Sequence, residues 1–392
     1  MPERAPPKRR DWSWRSQAFR GLVYQVIAVL AIGFGVWYLA QNTLANMEAR
    51  GIQSGFDFLG GAAGFDIGET IIPYESLDPY WMAFVIGVLN TLRVAIIGIV
   101  LATLLGTVLG IGRFSHNAIV RGICYGYVEF FRNVPVLLQL LMWYLVLTDA
   151  LPPLFDAISI GGVAFLSNNG FVFPVPVWGL GQALAGIGML AGAVIAWFYR
   201  RWVVRRFEQT GQPGSMVLVP IAIVIGAGVA GWIAGGAPTS WSVPVIDGFQ
   251  TKGGATATPE FMAVLLGLVL YTSAFIAEVV RAGIASVSHG QVEAAGSIGL
   301  SKGQSMRLVI LPQALRVIIP PMTSQYLNLT KNSSLAVAIG YPDVVSIANT
   351  ALNQTGRAVE CIAIIMAVYL TTSLSTSAFM NWYNKRAAIK ER

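Results

Sequence analysis

Apolar runs of about twenty residues and more recur along this 392-residue chain, and cationic side chains are nearly confined to the gaps between them. A helix rising 1.5 Å per residue needs about 20 apolar residues to cross a hydrocarbon layer of about 30 Å. Runs of that length have no place in a small soluble domain, and only 11% of the residues are charged, against about 25% in soluble domains. Hydropathy read with charged flanks predicts an all-α polytopic membrane protein of about eight transmembrane helices. They fall at about 20–41, 81–112, 119–148, 177–199, 215–236, 260–284, 316–340 and 358–382.

The formal charge of +7 does not point to nucleic acid, because the cations sit in short clusters and form no continuous basic face. They report topology instead. One set of gaps holds twenty of the 26 Lys and Arg, including Arg200, Arg201, Arg205 and Arg206, whereas the other holds Arg50, Lys252 and Arg357. The positive-inside rule puts the first set, both termini included, in the cytoplasm. The opposite face begins with an acidic loop carrying Glu48, Asp57, Asp66, Glu69, Glu75 and Asp78. That loop and the stretch from Leu151 to Pro176 read as ordered but irregular outer caps. The run Gly21 to Ala40 is too long for a signal-peptide core and is expected to stay as an anchor. Cys124 and Cys361 both fall within predicted spans and read as packing residues.

The most informative stretch is Ser288 to Pro321, too polar in its first half to span. Ser288 with Gln291, and Ser301 with Gln304, each have capping-box spacing, which predicts two short helices. Gly299 falls where a left-handed residue ends the first, and Leu300 can fold back on it. Val292, Ala295 and Ile298 share one apolar face, and Glu293 lies in the first turn, where the helix dipole favours an acid. Pro312, Pro320 and Pro321 are expected to break the helical pattern as the chain re-enters the membrane.

Glu293-Ala294-Ala295, three residues, Gly299, nine residues, Val309, one residue and Leu311-Pro312 resemble the EAA loop of ABC importer permeases, with Val309 where that family usually has Ile. Tyr127-x-Glu129-x-x-Arg132-Asn133-x-Pro135 with Gln139, Ala277-Glu278-x-x-Arg281, Gly290-Gln291, Pro312-Gln313-Ala314 and Lys331-x-x-Ser334-Leu335 extend the likeness to the polar amino acid permeases of histidine, glutamine and arginine type. The resemblance covers about 81–148 and 260–382, and the additions around it resemble the enlarged permease of the general L-amino acid uptake system. It implies a five-helix permease core in two parts, 81–148 and 260–384, with a cytoplasmic coupling loop at 285–315. Around these lie 1–80 (N-terminus, first helix and periplasmic loop), an insert with two extra helices at 149–259, and a tail at 385–392.

The resemblance further implies one half of the translocation pathway of an amino acid importer in a bacterial inner membrane. Its expected partners are a cytoplasmic ABC ATPase dimer, a second permease subunit with a heterodimer favoured, a periplasmic substrate-binding protein and membrane lipid. Gln291, Glu293, Ala294, Ala295, Gly299, Leu300 and Pro312 would carry the ATPase coupling. The chain has no G-x-x-x-x-G-K-[ST], so it is expected to bind no cofactor itself, with ATP and Mg used by the partner ATPase. An ion-coupled secondary amino acid transporter is the alternative, and it predicts uptake that survives ATP depletion but collapses with the ion gradient. His116 and His289 stand in cytoplasmic loops without a metal-ligand companion, so neither a metal site nor an enzyme is expected.

Charges within predicted spans are costly unless paired or wet. Glu129 with Arg132, and Glu278 with Arg281, are three apart on one helix face and read as ion pairs or as an inner gate. Asn90, Thr91 and Arg93 form one polar cluster, and Lys331, Asn332 and Ser333 another. Both fit structural hydrogen bonding or a substrate path, in which Arg93 or Lys331 takes a carboxylate and Glu360 an ammonium.

Overall fold

The computed structural model describes residues 14, 16–49, 51, 54–212, 214–248 and 250–387, without the side chains of Ala18 and of 385–387. Most of the cationic N-terminus, Arg50 and most of the tail at 385–392 therefore lie outside the described residues. The helices are α1 (Gln17–Ala49), α2 (Tyr80–Gly112), α3 (Ala118–Asn133), α4 (Val136–Asp149), α5 (Leu180–Thr210), α6 (Leu218–Ala234), α7 (Pro259–Ala285), α8 (His289–Ser297), α9 (Lys302–Ser305), α10 (Leu311–Asn332), α11 (Val344–Thr355) and α12 (Ala358–Ala387). The chain is thus helical and multi-spanning, as its hydropathy predicts. Among the described residues five helices are long and apolar enough to cross a membrane, namely α1, α2, α5, α7 and α12. Two bent pairs add up to two more crossings, and α6 is apolar but only 17 residues long.

The predicted span 119–148 is not one helix. α3 and α4 meet at a bend of 105°, because Pro135 has no N–H and leaves the carbonyl of Phe131 without its i+4 donor. Gln139 repairs the break, its buried amide donating to the carbonyls of Phe131 (3.0 Å) and Val134 (2.9 Å). Neither carbonyl finds water in hydrocarbon, so Gln139→Leu is expected to cost about 2 kcal/mol or more. A lowered thermal midpoint in lipid nanodiscs reads this out, and an unchanged midpoint contradicts it.

The chain divides into two compact units, Met1–Val100 with Ile276–Arg392, and Leu101–Phe275, so the divisions fall inside α2 and α7. In the second unit, the stretch expected to be an irregular cap forms short strands. β1 (Ile158–Ile160), β2 (Ala164–Ser167), β3 (Gly170–Phe173) and β4 (Val175–Pro176) precede α5, while β5 (Trp241–Ser242), β6 (Val245–Asp247), β7 (Gln250–Lys252) and β8 (Ala255–Ala257) follow α6. The order β1-β2-β3-β8 is antiparallel throughout, and β4 pairs with β5 and β6 with β7. These pairings close the chain around the α5–α6 hairpin at its base.

The hairpin itself packs backbone to backbone. A methyl group on Gly188 would stand 2.3 Å from the Ala227 carbonyl oxygen, and one on Gly231 would stand 2.2 Å from that of Leu184. Small residues at such a seam bring helices together where lipid offers no hydrophobic drive. α5 also runs past the predicted end at 199, since Arg, Gln and Glu sustain a helix and no breaker intervenes before Gly211 in the left-handed region (φ 70°). Arg200, Arg201, Arg205 and Arg206 therefore stand on a helix and not in a loop.

In the first unit, Phe58, Tyr80, Phe84, Val344, Ile347, Ala351 and Cys361 form a buried core that joins the outer loop to α2, α11 and α12. The loop is closed at its base, where Ala63 N–H donates to the Asp78 carbonyl and Gly64 N–H to that of Ser76, each at 2.8 Å. Burial pushes the Tyr74 phenol up from its ordinary value, so it stays protonated and donates to the Phe65 carbonyl (3.0 Å). Cys124 and Cys361 are both buried and unlinked, in keeping with packing roles.

Candidate functional site

The coupling loop forms an elbow. α8 ends with Gly299 at φ 80°, where Gly299 N–H donates to the Gly296 carbonyl (3.0 Å) and Leu300 N–H to that of Ala295 (3.1 Å). These two bonds make a Schellman motif, the left-handed end that the glycine predicts. Of the two predicted capping boxes only Ser301 with Gln304 forms, at 3.3 and 2.9 Å. Ser288 makes no side-chain cap bond. In its stead His289 Nδ1 lies 2.9 Å from Glu293 Oε1, and Gln291 Oε1 accepts from Gln313 Nε2 (3.3 Å).

The apolar face of α8 is divided in use. Ala295 is buried, whereas Val292 is 39% and Ile298 76% exposed. Leu300 is half-buried, and the Ala294 carbonyl accepts from Ile298 N–H (3.2 Å). The second predicted short helix does not end. α9 passes through a wide turn at Met306–Ile310 into α10, with Leu311 N–H bonded to the Met306 carbonyl five residues back. Pro312 lacks the N–H that the Leu308 carbonyl would need, and the wider turn accommodates the gap. Contrary to expectation, Pro320 and Pro321 also lie inside α10 without breaking it. The break comes later, at a 3₁₀ turn over Ser333–Ile339 and Gly340, before α11, a helix that hydropathy did not predict.

That break is tied to α2 by a buried polar hub. Asn90 donates to the carbonyls of Glu69 and Pro342, both at 2.9 Å, and its own carbonyl accepts from Tyr341 Oη (3.3 Å). Thr91 donates to Gly87 (2.8 Å) and accepts from Val344 N–H (3.2 Å). Arg93 forms an ion pair with Glu69, whose side chain is 7% exposed. Asp343 caps α11 through Ser346 N–H (2.8 Å), while its second oxygen and Asn90 Oδ1 are buried without a hydrogen-bond partner.

Several predicted path residues are engaged elsewhere. Glu360 accepts from Gly55 N–H (2.6 Å), and beside it the buried Arg357 holds the Gly55 carbonyl (3.2 Å) and Asp57 (3.1 Å). Glu360 and Arg93 thus each hold a different part of the outer loop. Ser333 is buried and donates to Thr330 (2.8 Å), Asn332 is half-buried, and Lys331 is exposed. A cavity of about 560 Å³, walled by Val88, Leu92, Ala95, Thr330, Thr371 and Thr372 among others, is lined by none of the predicted path residues.

Glu278 and Arg281 form the expected i,i+3 pair, with Arg281 Nε 3.0 Å from Glu278 Oε1. Glu129 instead accepts from Asn133 at its backbone carbonyl (2.6 Å), and the Arg132 guanidinium lies 5.3 Å from the centre of the Phe275 ring. Glu69, Tyr341, Asp343 and Arg357 were not singled out from sequence. Asp343, three residues before Ser346 and ahead of an apolar run, had a readable capping signal.

Comparison with known proteins agrees with the geometry. The family described as the binding-protein-dependent transport system inner membrane component matches residues 98–389. The general L-amino acid transport system permease protein AapQ of Rhizobium johnstonii is 44% identical over 97% of this chain and 96% of its own length. The putative amino-acid ABC transporter permease protein YhdX of Escherichia coli is 44% identical over the whole of both chains. The glutamate/glutamine/aspartate/asparagine transport system permease protein BztB of Rhodobacter capsulatus is 39% identical over 95% of each. With a match over most of its length and relatives aligned end to end, the chain belongs to the family of binding-protein-dependent transport system inner membrane components.

Proposed function

We propose that this chain is a permease subunit of an ATP-driven importer of L-amino acids, one half of a translocation pathway moved by a separate ATPase. The amino acid cargo is supported by the names of its long relatives. The observation that carries the coupling is the elbow at Gly299, with Val292 and Ile298 exposed on a short helix. Exposed apolar side chains on a charge-flanked surface helix fit a groove on another protein. In this reading α8 enters an ATPase subunit, and ATP and Mg are bound and used there.

The remaining partners are a periplasmic binding protein and a second permease, more fittingly a different chain than a second copy given the extra hairpin. Both termini lie in the cytoplasm of a bacterial inner membrane on the charge count. Lys331, exposed at the end of α10, is the predicted path cation that suits a cargo carboxylate, whereas Arg93 is committed to Glu69 and Asp343 is buried beside Tyr369. Glu360 likewise holds the outer loop.

Ile298→Arg places a charge where the groove is apolar, and Gly299→Val forces a β-branched residue to positive φ. Each is expected to lower co-purification of the ATPase subunit and substrate-dependent uptake at least tenfold, with the permease still inserted. Normal values of both in the two variants would remove the coupling assignment.

A further inference from the structure

α5 is longer than a crossing requires. Its 31 residues extend about 46 Å against a hydrocarbon layer of about 30 Å. Exposed Trp178 precedes it, and exposed Trp241 pairs across β4–β5 with Pro176, so an aromatic collar stands at its start. About 30 Å further on, Trp197, Tyr199 and Trp202 form a second collar. Paired collars at this separation mark the two membrane interfaces. The last three turns, at and beyond the second collar, carry Arg200, Arg201, Arg205 and Arg206, all exposed, with Glu208 as their one acid.

The arginines are arranged and not scattered. Val203 is buried against Gly214 of the returning chain, and at 100° per residue Arg201 and Arg205 stand on the opposite side of the helix, about 40° apart, while Arg200 and Arg206 lie about 60° to either side of Val203. Arg201 lies 3.9 Å from the centre of the Trp197 ring and Arg206 5.2 Å from that of Trp202. Stacking on an indole holds a guanidinium flat and leaves its N–H edge available to an acceptor, which for Arg206 is Gln212 Oε1 (3.2 Å). α6 is the one element against which α5 packs extensively, among the described residues. Arg201 and Arg205, opposite the buried Val203, are therefore turned away from α6 at headgroup depth.

We propose that this end of α5 is a binding site for an anionic lipid, with its phosphodiester held by Arg201 and Arg205 on the side of the helix away from Val203. Charge complementarity selects that ligand. Guanidiniums take phosphate oxygens in bidentate fashion, and a cation beside an anionic leaflet strengthens attachment about fivefold. Being an interfacial site, it does not depend on which cargo the protein carries.

The test uses the full chain with its co-purified subunits in mixed micelles of phosphatidylglycerol and phosphatidylcholine, with retained lipid quantified by mass spectrometry. Arg201→Gln with Arg205→Gln leaves Arg200 and Arg206 to hold orientation. Wild type is expected to enrich phosphatidylglycerol at least tenfold over the bulk ratio, the Gln pair to lose at least fivefold of this, and the Lys pair to lose less. Millimolar inorganic phosphate is expected not to displace the lipid, and displacement would reassign the site to a free anion. Unchanged enrichment in the Gln pair, or an equal loss of phosphatidylcholine, overturns the proposal. Loss of the ATPase subunit with lipid unchanged overturns it in favour of a protein contact.

Discussion

Glu69→Ala is expected to lower the stability of the first unit by about 3 kcal/mol, because it removes the buried carboxylate that pairs with the part-buried guanidinium of Arg93. The pair lies 13 residues into α2, about 20 Å from its first residue, so the outer loop reaches far along the helix to make it. Asn90 grips the backbone of the same residue, which leaves the loop two attachments at one point. Glu69→Gln keeps a neutral acceptor and is expected to cost less. Joint replacement of Glu69 with Leu and Arg93 with Met is expected to recover most of the loss, since exchanging a buried pair for apolar residues of similar volume is often neutral. Thermal midpoints of the three variants, with the rate of maleimide labelling at Gly68→Cys, read this out. If Glu69→Ala were as stable as wild type and no faster to label, the pair would not fasten the loop.

The second large effect lies in the hairpin. Gly231→Leu is expected to destabilise α5–α6 by about 3 kcal/mol, at the upper end for overpacking, since the obstacle is the backbone of Leu184 and not a side chain that can swing away. Gly188→Leu is expected to behave alike against Ala227. Gly226→Leu and Gly186→Leu, on the same two helices, meet nothing within 4 Å and serve as matched controls expected to be close to neutral. Midpoints in nanodiscs separate the sets, and equal behaviour of Gly231→Leu and Gly226→Leu would refute the seam.

The crossings were legible because lipid imposes one requirement on every residue of a span. Breaks within them were harder to read. Pro135 and Gln139 are both visible in sequence, but that an amide four residues on takes over two carbonyls is a fact of packing. Prolines misled in the other direction at 320 and 321, where α10 continues through both. The elbow was legible because Gly299 and the second capping box act through local bonds. The hub was not, since Arg93 meets Glu69 and Thr91 meets Val344 only through the fold, and acids of the outer loop look alike in sequence. Arg357 counted as an outer cation for the same reason, although it is buried against Asp57.

The wide turn at Met306–Ile310 keeps Lys302 to Asn332 one unbroken rod about 46 Å long. That rod runs from beside the elbow at Gly299 to the 3₁₀ turn before Gly340, so the two have a continuous helical connection. Just beyond it Tyr341, Pro342 and Val344 clasp α2, so one continuous helix joins the elbow to the buried hub of the first unit.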